Sequence, residues 1–385
     1  MKNITDYIKK QGALSFEALP FNEVDSLILS QLSYLKYDGL IPAFGEDRPG
    51  IPLREIPEAE GYDGLFADKR YARMNRALFA AAAASTRFGG MKLNNYVSIL
   101  EEGWELQFSA MTFSPENSPL YIAYRGTDET LVGWKEDFNM ALFLPIPAQK
   151  KALQYLNGIA SITHGKFVIG GHSKGGNLAV YAAATCAKRT ADRILTVYNH
   201  DGPGFPRGTL METPGFLAIR DKIKKYIPHS SVVGMLMESH EPYEVVECRS
   251  FGILQHDPFN WIVNGTAFKR VEDVYAHVSL QNDAINEWID GMSDTERRVF
   301  VDTLYDVMTA SGAQTLLDIM SDWKTNSKAM LDAIEKCDPM TREMLKLIFS
   351  HLFTSLQENM WLKVEEIIPK PQHFVKSASD EHKKL

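Results

Sequence analysis

The chain has 385 residues, 45% of them hydrophobic and 23% charged, which is enough apolar material for a full α/β domain with an appendage. A net charge of -8 argues against nucleic acid or an anionic membrane surface as the main partner. Cys186, Cys248 and Cys337 are odd in number and widely spaced, so they indicate neither a disulfide framework nor a zinc site and read as reduced thiols.

The N-terminus, Met1 to Lys10, lacks the apolar core of a signal peptide, and the most apolar helix-like run, Leu78 to Ala84, is far too short to span a bilayer. No transmembrane segment and a cytoplasmic location are therefore expected. Residues 1 to about 65 mix short apolar clusters with five prolines and read as a leading segment that wraps the core, with one good helix from Asp25 to Tyr37. Tyr71 to Ser85 is Ala-rich and reads as helix, ended by Phe88-Gly-Gly90. Tyr96 to Leu100, Trp104 to Phe113 and Leu120 to Tyr124 read as strands, the middle one alternating Trp104, Leu106, Phe108 and Ala110 on one face.

Phe167 to Ile169 is an apolar strand running into Gly171-His172-Ser173-Lys174-Gly175, and Asn177 to Ala184 is a small-residue helix running out. Ile194 to Tyr198 is a buried strand by its β-branched content, followed by the turn cluster Asn199 to Phe205. A helix is expected over Phe216 to Ile227, with Lys222, Lys224 and Lys225 on its solvated face, then a strand from Tyr243 to Cys248 and a loop from Phe251 to Trp261. This alternation implies a mostly parallel sheet covered on both faces. After His277, helical spacing recurs in Ile285 to Met292, Phe300 to Met308 and Leu345 to Leu356, with Ser293 to Glu296 as a capping box, and Ser377 to Leu385 as a polar tail.

The strand–turn–helix around Ser173 has the chemistry of a nucleophile elbow: the sharp turn lifts one side chain above the sheet edge, and flanking glycines remove colliding Cβ atoms. A serine nucleophile needs a base and a carboxylate to orient it, each from a loop at a strand end. Asp201, directly after the strand Ile194 to Tyr198, is the first choice of acid, with Asp257 a weaker rival. His256, in the loop after Tyr243 to Cys248, is the expected base, followed by His277 and His240. His172 and His200 stand too near the nucleophile and the acid in sequence to serve as the base. His164, His351, His373 and His382 fall outside the expected loops. The backbone N–H of Lys174 is one oxyanion donor, and Thr127 of Tyr124-Arg-Gly-Thr127 offers its N–H and hydroxyl as the second. Trp134 and Asp137 read as structural, an aromatic under that loop and a helix-start carboxylate.

Taken together, Tyr124-Arg-Gly-Thr127 with its following Trp and Asp, and Gly170 to Ala179, resemble the class 3 (fungal-type) lipases. With Asp201-Gly-Pro-Gly-Phe205 and Gln255-His-Asp-Pro-Phe259, the pattern looks most like a bacterial branch of lipase-like α/β-hydrolases. The resemblance implies an α/β-hydrolase core over 66–276, after a leading segment 1–65, and it leaves a helical part over 277–376 and a tail over 377–385 outside it. Two positions depart from the pattern. Lys174 stands where those lipases carry Leu, placing a charged stem beside the site. The stretch Ile227 to Gly234, where they usually carry the acid, has no Asp or Glu, and Asp201 resembles the placement in pancreatic-type lipases instead.

The expected function is a serine hydrolase for small-molecule carboxylic esters or lipid-like substrates, with Ser173, His256 and Asp201 as its triad and no metal or organic cofactor. Thioesterase or acyltransferase chemistry fits the same elbow. The alternative is a hydrolase-fold scaffold with weak or no catalysis that binds a protein partner through its C-terminal helices.

Overall fold

The computed structural model describes residues 3–68, 71–128, 131–140, 143–231, 233–250, 252–272, 286–287, 290–313 and 323–353. Eight strands form one sheet in chain order: β1 (Ile51–Pro52), β2 (Lys92–Glu101), β3 (Leu106–Ser114), β4 (Leu120–Tyr124), β5 (Phe167–His172), β6 (Ile194–His200), β7 (Ile223–Pro228) and β8 (Tyr243–Val246). β1 to β4 pair antiparallel; β4 to β8 pair parallel. Parallel neighbours need crossovers, and helices supply them: α5 (Leu131–Met140) and α6 (Pro147–Ile162) lead into β5, and α7 (Lys174–Thr185) leads out of it. The C-terminal ends of β4 to β8 therefore share one edge of the sheet.

Strand periodicity sorts the core into two layers. On β4, Tyr121 and Ala123 face one apolar cluster, while Ile122 and Tyr124 face the other. The first cluster is covered by α1 (Ile4–Gln11), α2 (Glu23–Leu32), α3 (Ala72–Ala83) and the short α4 (Thr86–Gly89), and the second by α6 and α7. Burial at about 25 cal/mol per Å² of apolar surface is what holds these layers together. A buried ion pair pins the leading helices: Arg87 Nη2 lies 2.5 Å from Asp25 Oδ2, and Arg87 Nη1 donates to the Leu19 carbonyl at 2.8 Å. Asp25 also closes a capping box with Asn22 at the start of α2.

Several local expectations need correction. The leading segment holds a second helix, α1, started by the Asn3 side chain accepting from Thr5 and Asp6 N–H groups; its single amphipathic turn pattern is too short to stand out in sequence. α2 begins two residues early and stops at Leu32, so Tyr34 and Tyr37 lie in the loop beyond it. Phe216 to Ile227 is not one helix: Pro214–Ile219 is helical, Arg220–Lys222 is a 3₁₀ turn, and Ile223–Pro228 is β7. Lys225 is buried, not solvated, because its Nζ donates to Ser239 Oγ at 2.5 Å and lies 3.6 Å from Glu241. Trp104 sits in the turn before β3 and is 75% exposed, whereas Leu106, Phe108 and Ala110 are buried as expected.

Among the described residues three helices, Asp294–Thr309, Trp323–Ile334 and Pro339–Phe353, follow the sheet. Phe300, Leu304, Val307 and Met308 meet Met330, Ile334 and Leu345 in a small core of their own, and Ser293 with Glu296 forms the capping box. The first of these helices packs on α5, where Lys135 bridges Glu105 at 2.8 Å and Asp302 at 2.9 Å. The last packs on the Gly252–His256 turn. The spacing over Ile285 to Met292 falls mostly, and the tail Ser377 to Leu385 wholly, outside the described residues. Among the described residues no helix is long and apolar enough to cross a membrane, and no His, Cys, Asp and Glu group could hold a metal.

Candidate active site

Ser173 ends β5 and caps α7 with φ 58° and ψ -135°, a backbone region that a residue with a Cβ rarely enters. Two bonds hold it there: its N–H donates to the His200 carbonyl at 2.9 Å, and its own carbonyl accepts from Gly176 at 2.9 Å. The glycines of the motif are steric necessities. A Cβ on Gly171 would lie 2.3 Å from the Gly175 carbonyl carbon, and one on Gly175 would lie 2.1 Å from the Tyr124 carbonyl oxygen. The sharp turn thus brings α7 against the end of β4, and the first N–H groups of α7 have no acceptor within the helix.

Asp201 follows β6 by one residue and also adopts a left-handed backbone, φ 54°, which Asp tolerates better than most side chains. Its N–H donates to the Tyr226 carbonyl at 2.8 Å, tying it to β7. Its buried carboxylate is held from two sides. Ser231 Oγ donates to Oδ1 at 2.5 Å, and the His256 ring meets Oδ2 through Nδ1 at 2.6 Å. Ser231 belongs to the acid-free stretch Ile227 to Gly234, so that stretch contributes a hydroxyl that fixes the carboxylate. Sequence reasoning missed this residue, because nothing in the pattern sets one serine apart from its neighbour.

His256 ends a 3₁₀ turn after β8 with its side chain one-fifth exposed. The turn is anchored by fully buried Gln255, whose Oε1 accepts from Ser230 N–H at 2.8 Å and whose Nε2 donates to the Ser250 carbonyl at 2.6 Å. Asp201 and His256, 55 positions apart in the chain, are therefore hydrogen-bonded at the edge where Ser173 stands. Among the described residues no hydrogen bond joins Ser173 Oγ to His256.

The rival groups take other work. Asp257 accepts from Phe259 N–H at 2.9 Å as the cap of its own turn. His240 pairs with Glu238 at the surface. His200 is fully buried, donating or accepting at Ser26 Oγ, and burial pushes its pKa down to about 3, which keeps it neutral. His277 lies outside the described residues.

On the other side of the elbow, the Thr127 hydroxyl donates to Asp137 Oδ2 at 2.5 Å. That corrects two expectations: the hydroxyl is committed to a carboxylate, and Asp137 lies well inside α5 rather than at its start. The side chain of Trp134 lies outside the described residues. The Lys174 stem is also not beside the site. It runs into the interior, where Nζ meets Glu136 Oε2 at 2.7 Å and the Gln107 carbonyl at 3.1 Å, with Asp137 Oδ1 at 3.7 Å.

One lysine thus faces two carboxylates. Burial raises the Asp137 pKa to about 6, against the opposing pull of Lys174 and Thr127. A raised carboxyl pKa means the folded state holds the proton more tightly than the unfolded chain, so the stabilisation is present at low pH and is lost as pH rises toward 6. Roughly two pKa units correspond to about 3 kcal/mol. Asp137→Asn, a neutral stand-in for the protonated acid, should therefore gain stability over wild type as pH rises from about 4 to 7, read as urea midpoints across that range. A difference that stays flat with pH would refute it.

Among known proteins, no curated relative matches the chain. Among the solved structures that resemble it weakly are the Rhizomucor miehei lipase propeptide complex as a deletion mutant and in its native form. Each shares 14% identity and covers 52% of this chain, with 69% and 70% of those chains covered and TM-scores of 0.31 and 0.29. The Mbeg1-like family model matches residues 82–306, a span that takes in β2 to β8 and the Ser173, Asp201 and His256 positions. With more than half of its length inside that match, the chain belongs to the Mbeg1-like family, a lipase-like family.

Proposed function

We propose that this protein is a serine hydrolase of the α/β-hydrolase type acting on carboxylic esters, including lipid-like ones. The observation that carries the reading is the 2.6 Å bond between His256 Nδ1 and Asp201 Oδ2, formed at the sheet edge that also presents Ser173 in a strained backbone. A carboxylate can only accept, so Nδ1 carries the proton and, in the neutral ring, Nε2 keeps its lone pair. In the proposed reaction Ser173 Oγ attacks the ester carbonyl while His256 takes its proton. The backbone N–H groups of Thr127 and Lys174 receive the developing oxyanion, each such donor being worth about 10²-fold or more in rate. His256 then protonates the leaving alcohol, and water, activated by the same ring, releases the acid from the acyl-enzyme. Thioesters, or an alcohol acceptor in place of water, use the same groups.

The C-terminal helices weigh against the partner-binding alternative. The apolar residues Phe300, Leu304, Val307 and Met308 are buried among themselves, and the helices pack on α5 and on the His256 turn, which gives them work within this chain. The test is turnover of p-nitrophenyl acyl esters of increasing chain length, together with labelling by a fluorophosphonate probe, in wild type and Ser173→Ala. Turnover and labelling in wild type, both lost in the variant, are expected. A wild type that neither turns over any ester nor takes the label would overturn the reading.

A further inference from the structure

Beyond the groups named so far, two side chains converge behind His256. The His172 ring lies 4.5 Å from the His256 ring, centroid to centroid, tilted by 36°. Its Nε2 stands 2.7 Å from the backbone carbonyl oxygen of His256, and its Nδ1 stands 3.1 Å from the Tyr34 hydroxyl. A carbonyl only accepts, so His172 Nε2 carries its proton and, in the neutral ring, Nδ1 accepts from Tyr34. The chain of donation runs Tyr34 Oη to His172, then His172 to the His256 backbone.

The place of the Tyr34 hydroxyl is what makes this more than packing. A Cβ built on Gly126 would lie 2.1 Å from that hydroxyl, 2.6 Å from the His172 carbonyl oxygen and 3.0 Å from Ser173 Cβ. One buried hydroxyl therefore sits where the Arg125-Gly126-Thr127 loop, the Ser173 elbow and, through His172, the His256 turn meet. These segments follow β4, β5 and β8.

We propose that Tyr34 and His172 are positioning residues that hold His256 at the correct height and angle over Ser173, an assignment that rests on the serine-hydrolase reading of the site. Asp201 restrains the His256 ring at Nδ1 alone, about which the ring itself can still pivot. The His172 contact adds a second restraint, on the backbone, and the tilted ring packed against it a third. Tyr34 belongs to the leading segment, which places part of the active-site geometry outside the 82–306 span of the family model.

The test uses full-length protein isotope-labelled at histidine, with Tyr34→Phe, His172→Phe and His172→Gln. Two readouts are taken: the downfield resonance of the His256 Nδ1 proton, which reports the bond to Asp201 whether or not ester is turned over, and kcat and KM on a p-nitrophenyl ester per folded molecule. In His172→Phe the resonance should broaden or vanish and kcat should fall about 10²-fold, the usual cost of a misplacement near 1 Å, with KM little changed. Tyr34→Phe should move both in the same direction, and His172→Gln, which keeps an N–H donor, should recover part of kcat. An unchanged resonance and unchanged kcat in both His172→Phe and Tyr34→Phe would overturn the assignment while leaving the hydrolase reading intact. A resonance lost in His172→Phe from a wild type that hydrolyses no ester would keep the positioning role and remove the hydrolase.

Discussion

Ser173→Gly is expected to give a protein that is more stable than Ser173→Ala and equally inactive. The backbone at Ser173, φ 58° and ψ -135°, is one that glycine enters without steric cost and that costs other residues about 1–3 kcal/mol. Alanine keeps the Cβ and therefore keeps the strain. Glycine relieves it but gains freedom in the unfolded chain, which offsets roughly 0.4–1 kcal/mol. The net difference between the two variants should be about 1–2 kcal/mol in favour of glycine, read as a shift in urea midpoint. Both variants lose the proposed nucleophile, for which a fall in kcat of roughly 10⁶ is the scale seen when a serine hydrolase loses its serine. Equal midpoints for the two would show that the turn stores no strain, and residual fluorophosphonate labelling in either would place the nucleophile elsewhere.

This strain explains which parts of the molecule could be read in advance. Gly171, Ser173 and Gly175 announce the elbow because the turn itself excludes other side chains, so chemistry and geometry impose the same residues. The meeting of Asp201 with His256 is legible for a related reason: parallel strands bring their C-terminal ends to one edge, and each residue directly follows a strand or its loop. What stayed hidden depends on partners far away in sequence. Lys225 looks like a solvated lysine until Ser239 and Glu241 fold over it. Thr127 looks like a two-handed oxyanion donor until Asp137 takes its hydroxyl. Tyr34 and His172 acquire a role only when the leading segment closes on the sheet, and no local pattern of apolar spacing carries that information.

Lys174→Met is expected to destabilise the fold by about 3–5 kcal/mol, the cost of leaving a buried charge without its partner. Lys174 and Glu136 are each 1% exposed in their side chains and 2.7 Å apart. Glu136 is also a junction. Its Oε2 accepts from the Gln107 N–H of β3 and its Oε1 from the Ala148 N–H of α6, both at 3.1 Å. Removing the lysine leaves that buried carboxylate, with the half-buried Asp137 beside it, without its cation. The strain would spread to the Thr127 loop through the bond that Asp137 receives. The double variant Lys174→Met with Glu136→Gln removes both charges while Gln can still accept one backbone bond, so it should be more stable than Lys174→Met alone, with a coupling energy of about 1–3 kcal/mol. Urea unfolding of the wild type, both single variants and the double variant closes this cycle. Additive losses would show that the pair is not coupled and that the lysine is held by its stem alone. The backbone N–H of residue 174 survives every one of these changes, so kcat per folded molecule should fall far less than in any Ser173 variant. A collapse of kcat in a still-folded Lys174→Met would instead give the side chain a direct part in the chemistry.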